Sequence, residues 1–378
     1  MISIHKDAEF IINMLNSRGY EAFAVGGCVR DAIMQRPCDD TDVTTNALPE
    51  ETKSVFSAYP VIETGIKHGT VGVLINGKIY EVTTYRKESA YSDSRHPDNV
   101  SFVTDLKEDL SRRDFTINAI AFSGNSGIRD YFGGIKDINN KIIRTVGDPY
   151  QRFSEDALRI LRALRFSAVL GFEIEQNTSK AINDLAETVN KVSGERIFTE
   201  LKKLLCGKNA QLVVNNYINA ISKMICANGE YTEISRLPTD FQMRLACLCG
   251  SGIDITLQRL RADNDTKHTC KLLVNSIPIP TDEAEQKLYI SSLGRNDARN
   301  VVQYRRALYN EDRQGNIEKI IDSNTPLFLS DLAINGKDLL NIGINGKEIG
   351  KTLELLLLKV IKKELANEKQ ALLEWYKK

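Results

Sequence analysis

AFAVGGCVRDAIMQRPCDDTDVTT, residues 22–45, decides how this chain is read. AFAV is a short apolar run ended by two glycines, which suits a strand that stops abruptly. VRDAIM then opens a helix, and DVTT (42–45) is a second short strand. Side chains at i and i+2 of an extended segment point the same way, so Asp40 and Asp42 can share a metal. Oxygen ligands held like this suit Mg²⁺, which keeps several waters and takes other ligands from substrate phosphates. Gly26 and Gly27 let the backbone approach a phosphate closely and offer N–H donors. Arg30, one turn into the helix, is placed to pair with a triphosphate. Aspartates two apart are common in surface turns. The order strand, Gly-Gly, helix, Asp-x-Asp gives this pair its weight.

Further along, TVGVLI (70–75) and KIYEVTTYR (78–86) flank Asn76-Gly77, a strong hairpin signal. Glu81 lies on the second strand and brings a third carboxylate to the same face. FTINAIAF (115–122) reads as a helix, and GIRDYF (127–132) as an edge strand before Gly133-Gly134. After Gly147-Asp148-Pro149 the character changes. RFSEDALRILRALRFSAVL (152–170) has apolar residues at helical spacing and Ser154 in N-cap position. The remainder reads as helices over 177–190, 194–206, 210–226, 238–250, 254–262, 266–276, 281–292, 294–309, 313–322 and 347–375. The expected class is therefore α+β: a head with a small mixed sheet, followed by an all-helical neck, body and tail.

Two arginine-rich motifs add chemistry. In RRDFTINA (112–119) Arg113 is expected to contact nucleotide phosphates and Asp114 to hydrogen-bond ribose hydroxyls; a helix-capping arrangement is the plain alternative. In EDALRILRALRF (155–166) Asp156, Arg159, Arg162 and Arg165 recur every third residue and share one helical stripe, while Leu158, Ile160, Leu161 and Leu164 serve the packed side. Three arginines on one stripe repel one another unless anions sit there.

Composition sets bounds. The 378 residues exceed one ordinary core, and 42% hydrophobic with 26% charged residues is the balance of a soluble globular protein. No apolar run approaches the roughly 20 residues of a membrane span, and the N-terminus reads as an amphipathic helix rather than a signal peptide. Seven cysteines without a CxxC pair point to free thiols in a reducing cytoplasm, against a zinc site or disulfide framework. Lys+Arg and Asp+Glu each total 50, so bulk charge announces no nucleic-acid partner. Basic residues do crowd at Arg152–Arg165 and in the lysine-rich C-terminus.

The GGCVRD and DTD pair, the EVTTYR strand, RRDFTINAIAF and EDALRILRALRF resemble, in order and spacing, the bacterial class II tRNA nucleotidyltransferases (CCA-adding enzymes) of the polymerase β-like superfamily. The similarity continues through GERIFTELKKLL (194–205) and again over 334–375. It implies template-independent addition of C, C and A to the tRNA 3′ end from CTP and ATP, with two Mg²⁺ ions on Asp40 and Asp42 and release of pyrophosphate. The EDxxR segment, headed by Glu155, would act as a protein template, with Asp156 and Arg159 reading the base. An aspartate accepts from the amino group of C or A, and an arginine donates to cytosine N3/O2 or adenine N1. Uracil and guanine leave both unpaired. Arg162 and Arg165 would hold phosphates. The resemblance also implies that the polar loop 87–99 is needed for the final A, and it assigns residues 1–146 to the head, 147–207 to the neck, 208–325 to the body and 326–378 to the tail. Body and tail would grip the tRNA acceptor and elbow by shape and phosphate. The rival readings are a one-nucleotide specialist or poly(A) polymerase of the same superfamily, a small-molecule nucleotidyltransferase, and a non-catalytic RNA-binding protein.

Overall fold

The computed structural model describes residues 2, 4–38, 40–89, 99–311 and 315–376. The chain forms two compact units, residues 1–227 with 258–261, and residues 228–257 with 262–378.

In the first unit, helix α1 (Lys6–Ser17) precedes strand β1 (Ala22–Val25), helix α2 (Gly27–Ile33), strand β2 (Asp42–Thr45) and helix α3 (Pro49–Val55). Strands β3 (Val61–Ile62), β4 (Thr70–Ile75) and β5 (Lys78–Thr84) follow, then β6 (Arg86–Ser89) and β7 (Asn99–Phe102), helix α4 (Leu106–Ser111), and strands β8 (Ile120–Ser123) and β9 (Gly127–Asp130). Seven of these strands make one sheet in the order β3-β4-β5-β2-β1-β8-β9. Every pairing in it is antiparallel except β2 with β5. The β4–β5 hairpin closes at Asn76-Gly77, both at positive φ, as that dipeptide requires.

One sheet face carries Phe23, Val25 and Ala121, which pack with Tyr85, Leu106, Leu110, Ala119 and Val146. Asp42 pairs with Val25 and Thr44 with Phe23, so these polar side chains share that face at the edge of its core. FTINAIAF is not a helix: only residues 116–118 turn as a 3₁₀ segment, and β8 pairs with β1 in mid-sheet. A short apolar run fits either state, and the sheet position decides it. GIRDYF supplies the edge strand β9 as expected. The segment expected as a loop from residue 87 is a hairpin at its base, since β6 pairs with β7 from Arg86↔Phe102 to Ser89↔Asn99. Residues 90–98 of that loop lie outside the described residues.

The unit continues with α5 (Gly134–Asn140), β10 (Ile142–Ile143), α6 (Pro149–Glu155), α7 (Leu158–Leu170), β11 (Glu173–Ile174), α8 (Gln176–Asp184), α9 (Gly194–Leu205) and α10 (Ala210–Ile221). The segment 152–170 is not one helix. Asp148 caps α6 with Pro149 at its first position, and α6 ends where Asp156 adopts an extended conformation (φ −145°, ψ 105°). Ser154 is inside α6, not its cap. Helix α10 stops at Ile221 and kinks at Tyr217.

The second unit is helical. Its last part, Gly336–Leu340, Lys347–Ile361 and Lys369–Tyr376, packs around Leu332, Leu339, Ile344, Leu356, Leu357 and Leu372. The single helix expected over 347–375 is broken after Ile361, and Lys363 takes a positive φ. Several C-terminal lysines are paired: Lys359 with Glu364, Lys363 with Glu283 and Lys369 with Asp338. No described helix is long and apolar enough to cross a membrane, and all seven cysteines are free thiols.

Candidate active site

The site grows from the end of β1. Gly26 sits at φ 84°, ψ −133°, closed to side-chain-bearing residues, and its N–H donates to the Ile120 carbonyl. A Cβ on Gly26 would stand 3.1 Å from Nη1 of Arg113. The missing side chain thus lets the guanidinium settle on the turn. Cys28, in the first turn of α2, donates its thiol proton to the Val25 carbonyl, and burial pushes that thiol up to about 12.

Across from Val25, Asp42 opens β2. The parallel register Val43↔Val82 puts Glu81 beside Asp42 on the same face of the neighbouring strand. Asp40 lies two residues ahead and is 97% exposed, with Lys78 Nζ at 3.6 Å. Burial lifts the Asp42 carboxyl above its usual range; Arg113 opposes the shift and Asp40 adds to it. A buried carboxylate with a second carboxylate nearby fits a divalent cation, which would relieve the cost of ionising Asp42. Among the described residues no three carboxylate, histidine or cysteine groups converge into a closed metal site. An ion on Asp40 and Asp42 would complete its shell from water and substrate.

Arg30 is buried. Its Nε and Nη2 donate to the two Asp31 oxygens, both at 2.9 Å, its Nη1 donates to Asn118 Oδ1 at 2.7 Å, and its guanidinium carbon lies 5.1 Å from the Phe166 ring centre. Rather than reaching outward, it ties α2 to the RRDFTIN segment. Asn118 passes the chain of bonds on, donating to Asp114 Oδ1 at 3.1 Å. Asp114 also accepts from the Phe115 amide at 2.9 Å and from Arg162 Nε at 2.7 Å, with Arg162 Nη2 paired to the same oxygen at 2.6 Å. Burial opposes the Asp114 charge, but Arg162 and the Asn118 hydrogen bond outweigh it and hold the carboxyl down at about 2.

The arginines of α7 all have protein anions. Arg159 Nη1 meets Glu155 Oε2 at 2.5 Å, and Arg152 meets the same oxygen at 2.8 Å. Arg162 takes Asp114, with Glu200 at 3.7 Å. The Arg165 guanidinium carbon lies over Phe166, 3.9 Å from the ring centre, and its Nε is 2.7 Å from Glu200 Oε2. Those last two atoms are out of line for a hydrogen bond, so the contact is one of charge alone. Asp156 does not share the stripe. Its Oδ1 accepts from the Leu158 amide at 3.0 Å and caps α7, while Arg196 donates to its two oxygens at 3.3 and 2.7 Å.

The structure thus brings Gly26, Asp42, Glu81 and Arg113 to one end of the sheet, and joins Arg30, Asp114 and Arg162 through Asn118. Sequence reasoning missed Asp109, Asn118, Arg196 and Glu200. Arg196 and Glu200 stand four apart in GERIFTE, a spacing that puts both on the α9 face turned to α7.

Comparison with known proteins places the chain in a family. Family models match as the poly A polymerase head domain over residues 22–144, the "Probable RNA and SrmB- binding site of polymerase A" over 171–219, and tRNA nucleotidyltransferase domain 2 over 245–376. The chain is 37% identical to the CCA-adding enzyme of Staphylococcus epidermidis, covering 98% of this chain and 97% of that protein. It is 36% identical to the CCA-adding enzyme of Enterococcus faecalis, covering 99% and 96%. The crystal structure of the Bacillus stearothermophilus CCA-adding enzyme in complex with CTP superposes with a TM-score of 0.82 at 32% identity, over 98% of this chain and 96% of that one. With full-length identity at this level and the head-domain geometry above, the chain belongs to the CCA-adding enzymes, nucleotidyltransferases that require a divalent metal.

Proposed function

We propose that this chain adds C, C and A in turn to the 3′ end of tRNA, from CTP and ATP, releasing pyrophosphate at each step. The observation that carries the reading is the antiparallel pairing of Val25 with Asp42, which gathers the Gly26 turn, the Arg113 guanidinium and the aspartate pair at one sheet end. Asp40 and Asp42 would hold Mg²⁺, with Glu81 beside them. When bound, that metal supplies charge neutralisation for the triphosphate and acidifies the attacking hydroxyl. Arg113 and the backbone at Gly26-Gly27 receive phosphate oxygens. Asp114, held ionised, is available to ribose hydroxyls through the lone pairs its protein donors leave.

Asp156 and Arg159 are the base readers in this reading, and both are occupied by protein partners in the absence of nucleotide. Cytosine and adenine, with an amino group at C4 or C6 beside a ring acceptor, can replace both sets of contacts; uracil and guanine, with a carbonyl oxygen and a ring N–H in those places, can replace neither. Arg162 and Arg165, paired with Asp114 and Glu200 within the protein, are the phosphate-holding residues of this reading. Residues 147–207 act as the neck, with 208–325 and 326–378 holding the tRNA acceptor and elbow, and the enzyme works in the cytoplasm. The loop around residues 87–99 serves the switch to A.

The test is product length on a tRNA lacking its 3′ end. With CTP and ATP the product should end in CCA; with CTP alone it should stop at CC, and with UTP or GTP alone it should not grow. Growth from ATP alone into a long tail would instead identify a polyadenylating enzyme.

A further inference from the structure

Asp109 is a fully buried carboxylate, 0% exposed, that none of the roles above uses. Its Oδ2 accepts from Thr44 Oγ1 at 3.2 Å. Its Oδ1 accepts from the Arg86 amide at 3.2 Å and from Arg112 Nε and Nη2 at 3.0 and 2.9 Å. Arg113 Nη2 lies 3.7 Å from Oδ2. One anion therefore joins the strand that begins at Asp42, the first residue of β6, and both arginines ahead of Asp114.

Neutral acceptors would serve the hydroxyl and the amide equally well. The two adjacent guanidiniums need the charge. Arg112 and Arg113 are 17% and 19% exposed, and burial works against the charge of Arg113, with Asp109 the largest force restoring it. Among the described residues Arg113 Nε has no hydrogen-bond partner, so charge holds this side chain over the Gly26 turn, Asp109 contributing most and Asp42 and Asp114 less. Without the carboxylate the two cations repel, and Arg113 gains by turning outward to water.

We infer that Asp109 is a positioning residue for nucleotide binding, fixing the Arg113 guanidinium beside Gly26 where it meets the triphosphate. This rests on the reading of Arg113 as a phosphate ligand. The sign of the effect is diagnostic. Removing a negative charge near a triphosphate would by itself tighten binding, whereas releasing Arg113 weakens it.

The experiment is equilibrium binding of labelled CTP and of CMP to the full-length chain with Mg²⁺ and without tRNA, for wild type, Asp109→Asn, Arg113→Ala and the double variant. CTP and CMP share base and ribose, so only the phosphate contacts separate them. Asp109→Asn should weaken CTP about tenfold and leave CMP unchanged, as expected for loss of one charge-assisted contact. The double variant should be no worse than Arg113→Ala. Equal weakening of CTP and CMP, unchanged or tighter CTP, or losses that multiply in the double variant would each overturn the inference. If Arg113→Ala leaves CTP binding intact, the phosphate reading itself falls and this inference with it. If Arg113→Ala weakens CTP and Asp109→Asn does not, the inference alone falls. Should Asp109→Asn not fold, Thr44→Val removes a donor to the same Oδ2 and should give the same split at about threefold; no split there counts against the inference equally.

Discussion

The two charged regions of the first unit are built on opposite plans. At the end of the sheet, Asp40 is exposed with a lysine 3.6 Å away, and Asp42 is held above its ordinary pKa by burial. Under α7, each anion is matched: Glu155 by Arg152 and Arg159, Asp114 by Arg162, Glu200 by Arg165 and Asp156 by Arg196. In the first region the cost of burying Asp42 is only partly offset by Arg113. In the second the charges are already paired within the protein, so a base read there would exchange contacts rather than fill a void. In the proposed reading the first region supplies affinity for a cation and the second supplies selectivity, because an exchange succeeds only for a partner offering the same donors and acceptors.

The sharpest way to break this comparison is Asp42→Asn. It should lower single-turnover transfer by roughly a thousandfold or more, the scale of losing metal-based charge stabilisation, while tRNA affinity stays within a few-fold. Substantial residual transfer would mean the aspartate pair is not the metal edge. Glu200→Ala tests the other plan. It leaves the half-buried Arg165 without its anion; a broken buried pair typically costs roughly 3–5 kcal/mol and a partly exposed one less, so the denaturation midpoint should fall, and an unchanged midpoint would show that the stripe does not depend on its anions.

A third test uses acid. The Asp114 carboxyl is depressed to about 2 in the folded protein, so its contribution is fully present above the unfolded-state value near 4 and is lost as pH falls through 2. That contribution is roughly 2 kcal/mol. Asp114→Asn should flatten the decline in stability between about pH 4 and pH 2. The smallest effect falls on base choice: Asp156→Ala should slow CTP and ATP use and narrow their lead over UTP and GTP by about tenfold, or ~1–3 kcal/mol. A slower enzyme with unchanged selectivity would confine Asp156 to capping α7.

Much of this was readable from the sequence, and the failures have definite causes. The Gly-Gly turn and the Asn76-Gly77 hairpin are local signals, and Gly26, Asn76 and Gly77 take the positive φ those turns require, while Asp42 opens β2 with Asp40 two residues ahead of it. FTINAIAF misled because eight largely apolar residues satisfy a buried strand as well as a helix. The helical period runs unbroken through residues 152–170, yet the helix breaks, because the Asp156 carboxylate prefers to cap the Leu158 amide and to meet Arg196. That partner is 40 residues away, and no local pattern announces it. The same distance hid the anions of the arginine stripe. The repulsion was legible, but Asp114 and Glu200 as its solution were not.

Cys28 has a practical consequence. With its thiol pushed up to about 12 by burial, the reactive thiolate at neutral pH is on the order of 10⁻⁵ of the population. Maleimides should therefore pass over this sulfur and modify the partly exposed Cys38, Cys206 and Cys226 first. Cys38 donates to the carbonyl of Asp40, so a fluorophore attached there would sit beside the aspartate pair. Peptide mass mapping after brief alkylation would show whether the chain offers this ready-made attachment point for watching metal and nucleotide arrive.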